Sequence, residues 1–305
     1  MIDLTNFAEV VKYEVEKMVG AGFKVKLNDV RKNNGIVLKG VTITENGNNI
    51  FPTVYLNDYY KDYKDGRMTI ADAANGVVGT YHNNQISQSV DMRYFLNYEK
   101  VSKQIVYKLI NTERNKELLK DIPHVEFLDL SIVFQCMVSQ AGFGMASILI
   151  HNAHQKLWEV SVEDLYRAAK ENTQILLGHE IKSMSEVLCG IMEEEGTEES
   201  DEDYMLEMSD SVPMYVLTNK QKVNGAACML YPDLIRQFSD RIGKNLFIIP
   251  SSVHELLLLP ADHKDEASEI RCMIREINDT QVRVEEILSY SLYFYDRQKG
   301  EIITL

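Results

Sequence analysis

Five consecutive residues, Ser251-Ser252-Val253-His254-Glu255, carry the three side-chain types of a nucleophilic hydrolase: hydroxyl, imidazole and carboxylate. Their spacing limits what they can do together. Where the chain is extended, neighbouring side chains point to opposite faces, so His254 and Glu255 do not readily form a hydrogen-bonded pair, whereas Ser252 and His254 share a face. The same residues suit a structural corner in which serine hydroxyls satisfy backbone amides and His254 holds a carbonyl or a carboxylate. The structural use is the expected one, with Ser251, Ser252, His254 and Glu255 as the catalytic candidates should it fail.

Other candidates are weaker. Arg114 and Asn115, at the opening of a short helix, are the binding candidates: Arg114 can pair with an anion, and both suit bracing the helix start. Asn172 is expected to satisfy carbonyl groups. His151 and His154 share a face if HNAH is helical, but a metal would need two further ligands that the spacing does not supply, so no metal site is expected. The four cysteines, Cys136, Cys189, Cys228 and Cys272, show no paired spacing and read as reduced, mostly buried thiols. Phosphate-loop, dinucleotide-binding, zinc-protease, nucleophile-elbow and calcium-loop motifs do not occur, and no cofactor is expected.

The corner belongs to the most sharply punctuated stretch of the chain, Pro213 to Pro260. Met214 to Thr218 reads as a strand and Asn219 to Asn224 as its turn. Leu234, Ile235, Phe238 and Ile242 make one helical face closed by Gly243, and Leu246 to Ile249 reads as a strand. Val253 to Leu259 reads as a further, central strand stopped by Pro260, with His254 and Glu255 at its entry.

Upstream, Asp3 or Thr5 caps a helix with the stripe Phe7, Val10, Val11, Val15, Met18 and Val19. Phe23 to Arg31 and Ile36 to Thr44 alternate on either side of Asn33-Asn34-Gly35, the signature of a hairpin. Val54 to Tyr63 suits a short helix. Its Tyr55, Tyr59, Tyr60 and Tyr63 can be read as a base-stacking platform or as the edge of a core, and the core edge is expected. Val125 to Val138 reads as one long strand partnered by Ala146 to Ile150. Ser161 to Asp164 has the capping-box form ahead of a helix whose face is Leu165, Ala168, Ala169, Ile175 and Leu176, and Glu180 to Met192 reads as another helix. Beyond Pro260, a helix over Lys264 to Ile277 and two closing strands are expected.

The net charge of −14 is unevenly placed, since Glu193 to Asp210 holds ten acidic side chains and no basic one; removing those ten charges leaves −4. Such a run cannot bury enough apolar surface to order itself and reads as a solvated linker. The fold class is therefore α+β: antiparallel or mixed sheets with flanking helices in two portions, 1–192 and 212–305, joined by the acidic linker 193–211. A chain of this charge has no footprint for duplex nucleic acid, and a protein partner is favoured over nucleic acid. No run of eighteen apolar residues occurs, and MIDLTNFAEVVKYEVEKM has charges spread through it and no apolar core with a cleavage site, so a soluble cytoplasmic protein without membrane contact is expected.

Taken together, the segments LINTERNKELL (Leu109 to Leu119), IPHVEFLDLSIVF (Ile122 to Phe134), SVEDLYRAAKENT (Ser161 to Thr173), MYVLTN with GAA (Met214 to Asn219, Gly225 to Ala227), PSSVHE (Pro250 to Glu255) and ILSYSLYFYD (Ile287 to Asp296) resemble a bacterial family known as a domain of unknown function, family 5688. The resemblance runs from about Phe23 to the end of the chain. The portion from Asp129 to Thr173 is also similar to a second uncharacterised bacterial family of cytosolic proteins. Neither resemblance brings an activity, though both imply a bacterial cytoplasmic setting. The expectation is a non-enzymatic binding or regulatory protein, with a hydrolase-like enzyme using the Ser251 to Glu255 corner as the alternative.

Overall fold

The computed structural model describes residues 2–45, 51–84, 93–139, 145–195, 213–262 and 267–305. The chain is α+β, and every strand pairing among the described residues is antiparallel. It divides into two compact units, Met1–Phe95 and Leu96–Leu305. Most of the expected acidic linker lies outside the described residues.

In the first unit, α1 (Leu4–Val19) is capped by Asp3, whose carboxylate accepts from the Asn6 N–H at 2.8 Å. Phe7, Ala8, Val11 and Val15 are buried, whereas Val10 and Met18, expected in the apolar stripe, are exposed. Strands β1 (Phe23–Arg31) and β2 (Val37–Glu45) form the expected hairpin, turned by Asn34 (φ 57°) and Gly35 (φ 72°). Strand β3 (Thr53–Tyr55) adds to β2, followed by α2 (Asn57–Lys64) and α3 (Ile70–Asn83).

The helix expected from Val54 thus starts only at Asn57, because the Asn57 side chain accepts the Lys39 N–H at 3.0 Å and holds the preceding residues extended against β2. Thr69 and Asp72 make a reciprocal capping box for α3. One sheet face, with Val25, Val41, Ile43 and Val54, packs on Phe7, Val11, Ala73, Val77 and Tyr81. Tyr59, Tyr60 and Tyr63 border that core, with the Tyr63 ring 5.0 Å from Phe7, as expected of a core edge.

The second unit opens with α4 (Tyr98–Val101), β4 (Ile105–Asn111), α5 (Lys116–Leu119), β5 (His124–Phe127), β6 (Leu130–Ser139) and β7 (Met145–Leu149). The single strand expected over 125–138 is a hairpin. Leu128 takes a left-handed conformation (φ 56°), and the Asp129 carboxylate accepts from the hydroxyls of Ser289, Ser291 and Tyr293 at 2.5 to 3.1 Å, which pins the turn. Strand β6 pairs with β4 along one side and with β5, then β7, along the other.

Helices α6 (Asn152–Trp158) and α7 (Val162–Leu177) follow, the latter capped by Ser161 and Asp164. Its buried face is Leu165, Ala169, Thr173 and Leu177, while Ile175 is 81% exposed, contrary to expectation. Thr173 takes the inward place because its hydroxyl accepts the Tyr107 N–H (3.1 Å) and donates to the Ala169 carbonyl (2.6 Å). Asn172 donates to the carbonyls of Ser102 and Ile105, as its type suggested.

The six-stranded sheet contains β8 (Glu180–Ser183), β9 (Tyr215–Thr218), β10 (Asn245–Ile249), β11 (Leu256–Ala261), β12 (Tyr293–Asp296) and β13 (Glu301–Thr304), in the order β13-β12-β10-β11-β9-β8. Residues 180–183, expected as helix, are a strand because the edge of β9 offers them a ladder. Helix α8 (Met184–Glu195) starts only where Ser183 and Glu186 cap it. Helices α9 (Leu234–Ile242) and α10 (Ala267–Thr280) complete the unit.

Strand β8 precedes the acidic stretch and β9 follows it, so the sheet closes only when both sides are present. A fragment starting at Leu96 should therefore unfold in one cooperative thermal transition. A fragment starting at Pro213, with β9 left as an unpaired edge, should show none and should aggregate; a cooperative transition in the shorter fragment would contradict this sheet.

Candidate functional site

The corner is built between the ends of β9 and β11. Beyond β9, the buried side chain of Asn219 organises the turn: its oxygen accepts from the N–H groups of Gln221 (3.0 Å) and Val223 (3.4 Å), and its amide donates to the Val223 carbonyl (2.8 Å). Lys222 and Asn224 sit at positive φ, and Gly225–Leu230 then coils as a buried 3-10 segment.

Gly225 is required for space. A Cβ there would lie 2.1 Å from Thr218 Oγ1, 2.4 Å from the His254 carbonyl oxygen and 2.7 Å from the Asn219 nitrogen.

The expected strand over 253–259 begins only at Leu256, and the preceding residues form the corner. Ser252 is 5% exposed; its hydroxyl donates to Glu255 Oε1 at 2.5 Å and accepts the His254 N–H at 3.0 Å. The His254 carbonyl accepts from Thr218 Oγ1 at 2.7 Å. Its Nδ1 accepts the Asn224 N–H at 3.3 Å, which leaves the proton of the neutral ring on Nε2, 3.9 Å from Glu286 Oε1. The Val253 N–H donates to the Glu286 carbonyl, and its own carbonyl accepts from Ala226. Ser251, half-buried, donates its N–H to the Ile249 carbonyl at 3.0 Å. Serine, imidazole and carboxylate are thus adjacent, but Ser252 pairs with Glu255, and His254 faces Asn224 and Glu286.

The two binding candidates serve the β4–α5 junction. Asn115 is buried and donates to the Asn111 carbonyl at 2.8 Å, while Asn111 Oδ1 accepts the Arg114 N–H. The Arg114 guanidinium lies 4.9 Å from the centre of the Tyr290 ring, whose hydroxyl donates to Asp279 at 2.7 Å and is thereby shifted upward in pKa. His154 accepts the His151 N–H and packs on Trp158, its burial lowering its pKa. Among the described residues no three His, Cys, Asp or Glu side chains converge as metal ligands. Burial pushes the thiols of Cys136 and Cys228 up to about 11 and about 12, far from a reactive thiolate; Cys189 is half-buried and Cys272 exposed.

A cleft of about 360 Å³ lies elsewhere, along the outermost strand β8. His179, Glu180 and Ile181 form one wall; Leu234, Gln237, Phe238 and Arg241, successive positions on one face of α9, form the other. The Phe238 ring meets Tyr215 of β9 edge-on at 5.0 Å and carries the Arg241 guanidinium 4.9 Å from its centre. His179 stands edge-on to the buried Tyr231. Glu180 is paired with Lys182 at 2.9 Å, whereas Arg241 has no ion-pair partner among the described residues. Leu234 and Phe238 stand out in the sequence as apolar helical positions, whereas His179, Gln237 and Arg241 do not, because their convergence arises only when β8 pairs with β9.

Replacing Gly225 by alanine should destabilise the protein by roughly 3 kcal/mol, the upper end of overpacking costs, because two of the three clashing atoms belong to the backbone. Denaturant unfolding of Gly225→Ala checks this; a change under about 1 kcal/mol would show that the corner yields easily.

No curated protein and no solved structure matches the chain. Among the described residues no helix is long and apolar enough to cross a membrane. The blocks flanking the corner, the β5–β6 turn and α7 all fall within residues 4–297, which match the model of the family of unknown function DUF5688, and the chain belongs to that family.

Proposed function

We propose that the protein is a bacterial, cytoplasmic binding or regulatory protein, and that its ligand is a small anion with an apolar body held between β8 and α9. The observation that carries this reading is the contrast between the two sites. At the corner Ser252 is buried and its hydroxyl donates to Glu255, while His254 faces Asn224 and Glu286 instead of Ser252. A nucleophile needs both a base in hydrogen-bond reach and access for substrate, and Ser252 has neither imidazole nor access.

In the cleft the opposite holds. Arg241 is uncommitted to any carboxylate among the described residues, and its guanidinium suits a carboxylate or phosphate. His179 and Gln237 add polar contacts, and Leu234, Phe238 and Ile181 supply an apolar wall. The volume falls in the range of small-ligand sites, about 300 to 1,000 Å³.

Thermal unfolding in the presence of small carboxylates and phosphate esters tests the reading. A true ligand at a hundredfold excess over its Kd should stabilise the protein by about 2.7 kcal/mol. Arg241→Gln should abolish that shift without altering the unliganded midpoint. His254→Ala should lose about 1 to 2 kcal/mol through the unpaired Asn224 N–H while leaving ligand binding intact. Stoichiometric labelling of Ser251 or Ser252 by a serine-directed electrophile, lost in a folded His254→Ala protein, would overturn the reading in favour of a hydrolase.

A further inference from the structure

The first unit carries a second surface of different chemistry. Its helices pack on one face of the three-stranded sheet, the face of Val25, Val41, Ile43 and Val54, and the alternate residues present the other face. In register across the strands that open face reads Lys24–Thr44, Lys26–Thr42–Thr53 and Asn28–Gly40–Tyr55, with Val30–Leu38 at the turn end. Lys32, just past β1, places its ammonium 4.3 Å from the centre of the Tyr55 ring.

Not one carboxylate lies among these positions, although the chain as a whole carries −14. Residues 1–95 hold eleven basic and eleven acidic side chains, so the excess negative charge belongs entirely to the rest of the chain. Lys24, Lys26 and Lys32 form no ion pair among the described residues, whereas Lys39, on the opposite parity of β2, is paired with Asp29 at 2.7 Å. The carboxylates of Asp29 and Glu45 likewise fall on that opposite parity.

We propose that this open face binds single-stranded nucleic acid. Three uncompensated cations supply the phosphate contacts, Tyr55 the stacking surface and the Asn28 amide a polar contact, while the Thr42 and Thr53 hydroxyls bond to each other and Thr44 donates to the Lys24 carbonyl. Lys24 and Lys26, two residues apart on one strand, stand about 6.8 Å apart along it, close to the separation of successive phosphates in an extended single strand. Gly40 is the register partner of Tyr55, so no side chain of β2 stands directly opposite it, and a phosphate that draws Lys32 aside uncovers the ring for a base.

Other polyanions fit less well. An exposed ring that stacks on an unpaired base serves a single strand and not a duplex, whose bases are already stacked on one another. An acidic peptide would find no apolar pocket among Gly40 and the threonines.

The test is fluorescence anisotropy of the full chain with a labelled mixed-sequence RNA or DNA strand of about 15 nucleotides, over a salt series starting near 50 mM. Saturable binding at low salt is expected. Lys24→Gln with Lys26→Gln should weaken it at least about tenfold and flatten the slope of log K against log salt by about 1.4, with no change in melting midpoint, since both side chains are exposed. Tyr55→Phe should bind as the parent does, and Tyr55→Ala should bind about tenfold more weakly; if the alanine variant fails to fold, the lysine pair decides. Absence of binding at low salt, equal binding by the lysine variant, tighter binding of a duplex, or displacement of the strand by an equal concentration of polyglutamate would each overturn the assignment.

Discussion

The His254 carbonyl and the Thr218 hydroxyl come so close to residue 225 that a methyl group cannot be placed there, and the centre of the second unit is arranged around this contact. It exists because three pieces of irregular backbone meet in the interior: the turn after β9, the 3-10 segment and the corner before β11. Buried irregular backbone must find partners outside any ladder. Asn219 supplies three of them, Ser252 one, Thr218 one and His254 Nδ1 another. On the proposed reading, what looks from composition like a catalytic set is the set of short polar side chains that makes a buried corner self-sufficient.

The same economy recurs where the two sheets of the second unit meet. The Asp129 carboxylate lies in the β5–β6 turn and gathers the hydroxyls of Ser289, Ser291 and Tyr293, whose phenol is pushed well above its usual range by burial and by the neighbouring carboxylate. Thr173 performs a similar task between α7 and β4, and receives the Tyr231 hydroxyl on its carbonyl. These junctions hold β4, α7 and β9 in place, and the pairing of β9 with β8 opens the cleft beside α9. Function on this account is placed at the margins of a closely cross-linked interior: at the edge strand in one unit and on an open sheet face in the other.

Elements with a strong period and a cap were legible in the sequence: α1 with Asp3, α7 with Ser161 and Asp164, the Asn34-Gly35 hairpin, and the helix closed by Gly243. Failures had tertiary causes. The strand at 180–183 exists because β9 has a free edge, and the break at Leu128 because residues 160 positions away hold Asp129. The acidic run is the conspicuous break in the sequence, whereas the contact boundary at Phe95/Leu96 has no charge run, proline or glycine beside it to mark it. At the corner the residue types are legible in the sequence, but the pairing of Ser252 with Glu255 and not with His254 depends on β11 starting three residues later than its pattern suggests. The cleft was invisible, since Arg241 and His179 are far apart in sequence and meet only through the sheet.

Native-state hydrogen exchange at the amides of Asn224, Ala226, Val253 and His254 tests most directly whether the corner is a structural knot. Asn224 and Ala226 donate across the junction to His254 Nδ1 and the Val253 carbonyl, Val253 donates to the Glu286 carbonyl, and His254 donates within the corner to Ser252 Oγ. If the junction holds the unit together, these four amides should exchange only through global unfolding, with opening free energies equal to the unfolding free energy and the same dependence on denaturant. Exchange through local fluctuations insensitive to denaturant, several kcal/mol below the global value, would contradict the account and restore the corner as a mobile, reactive site.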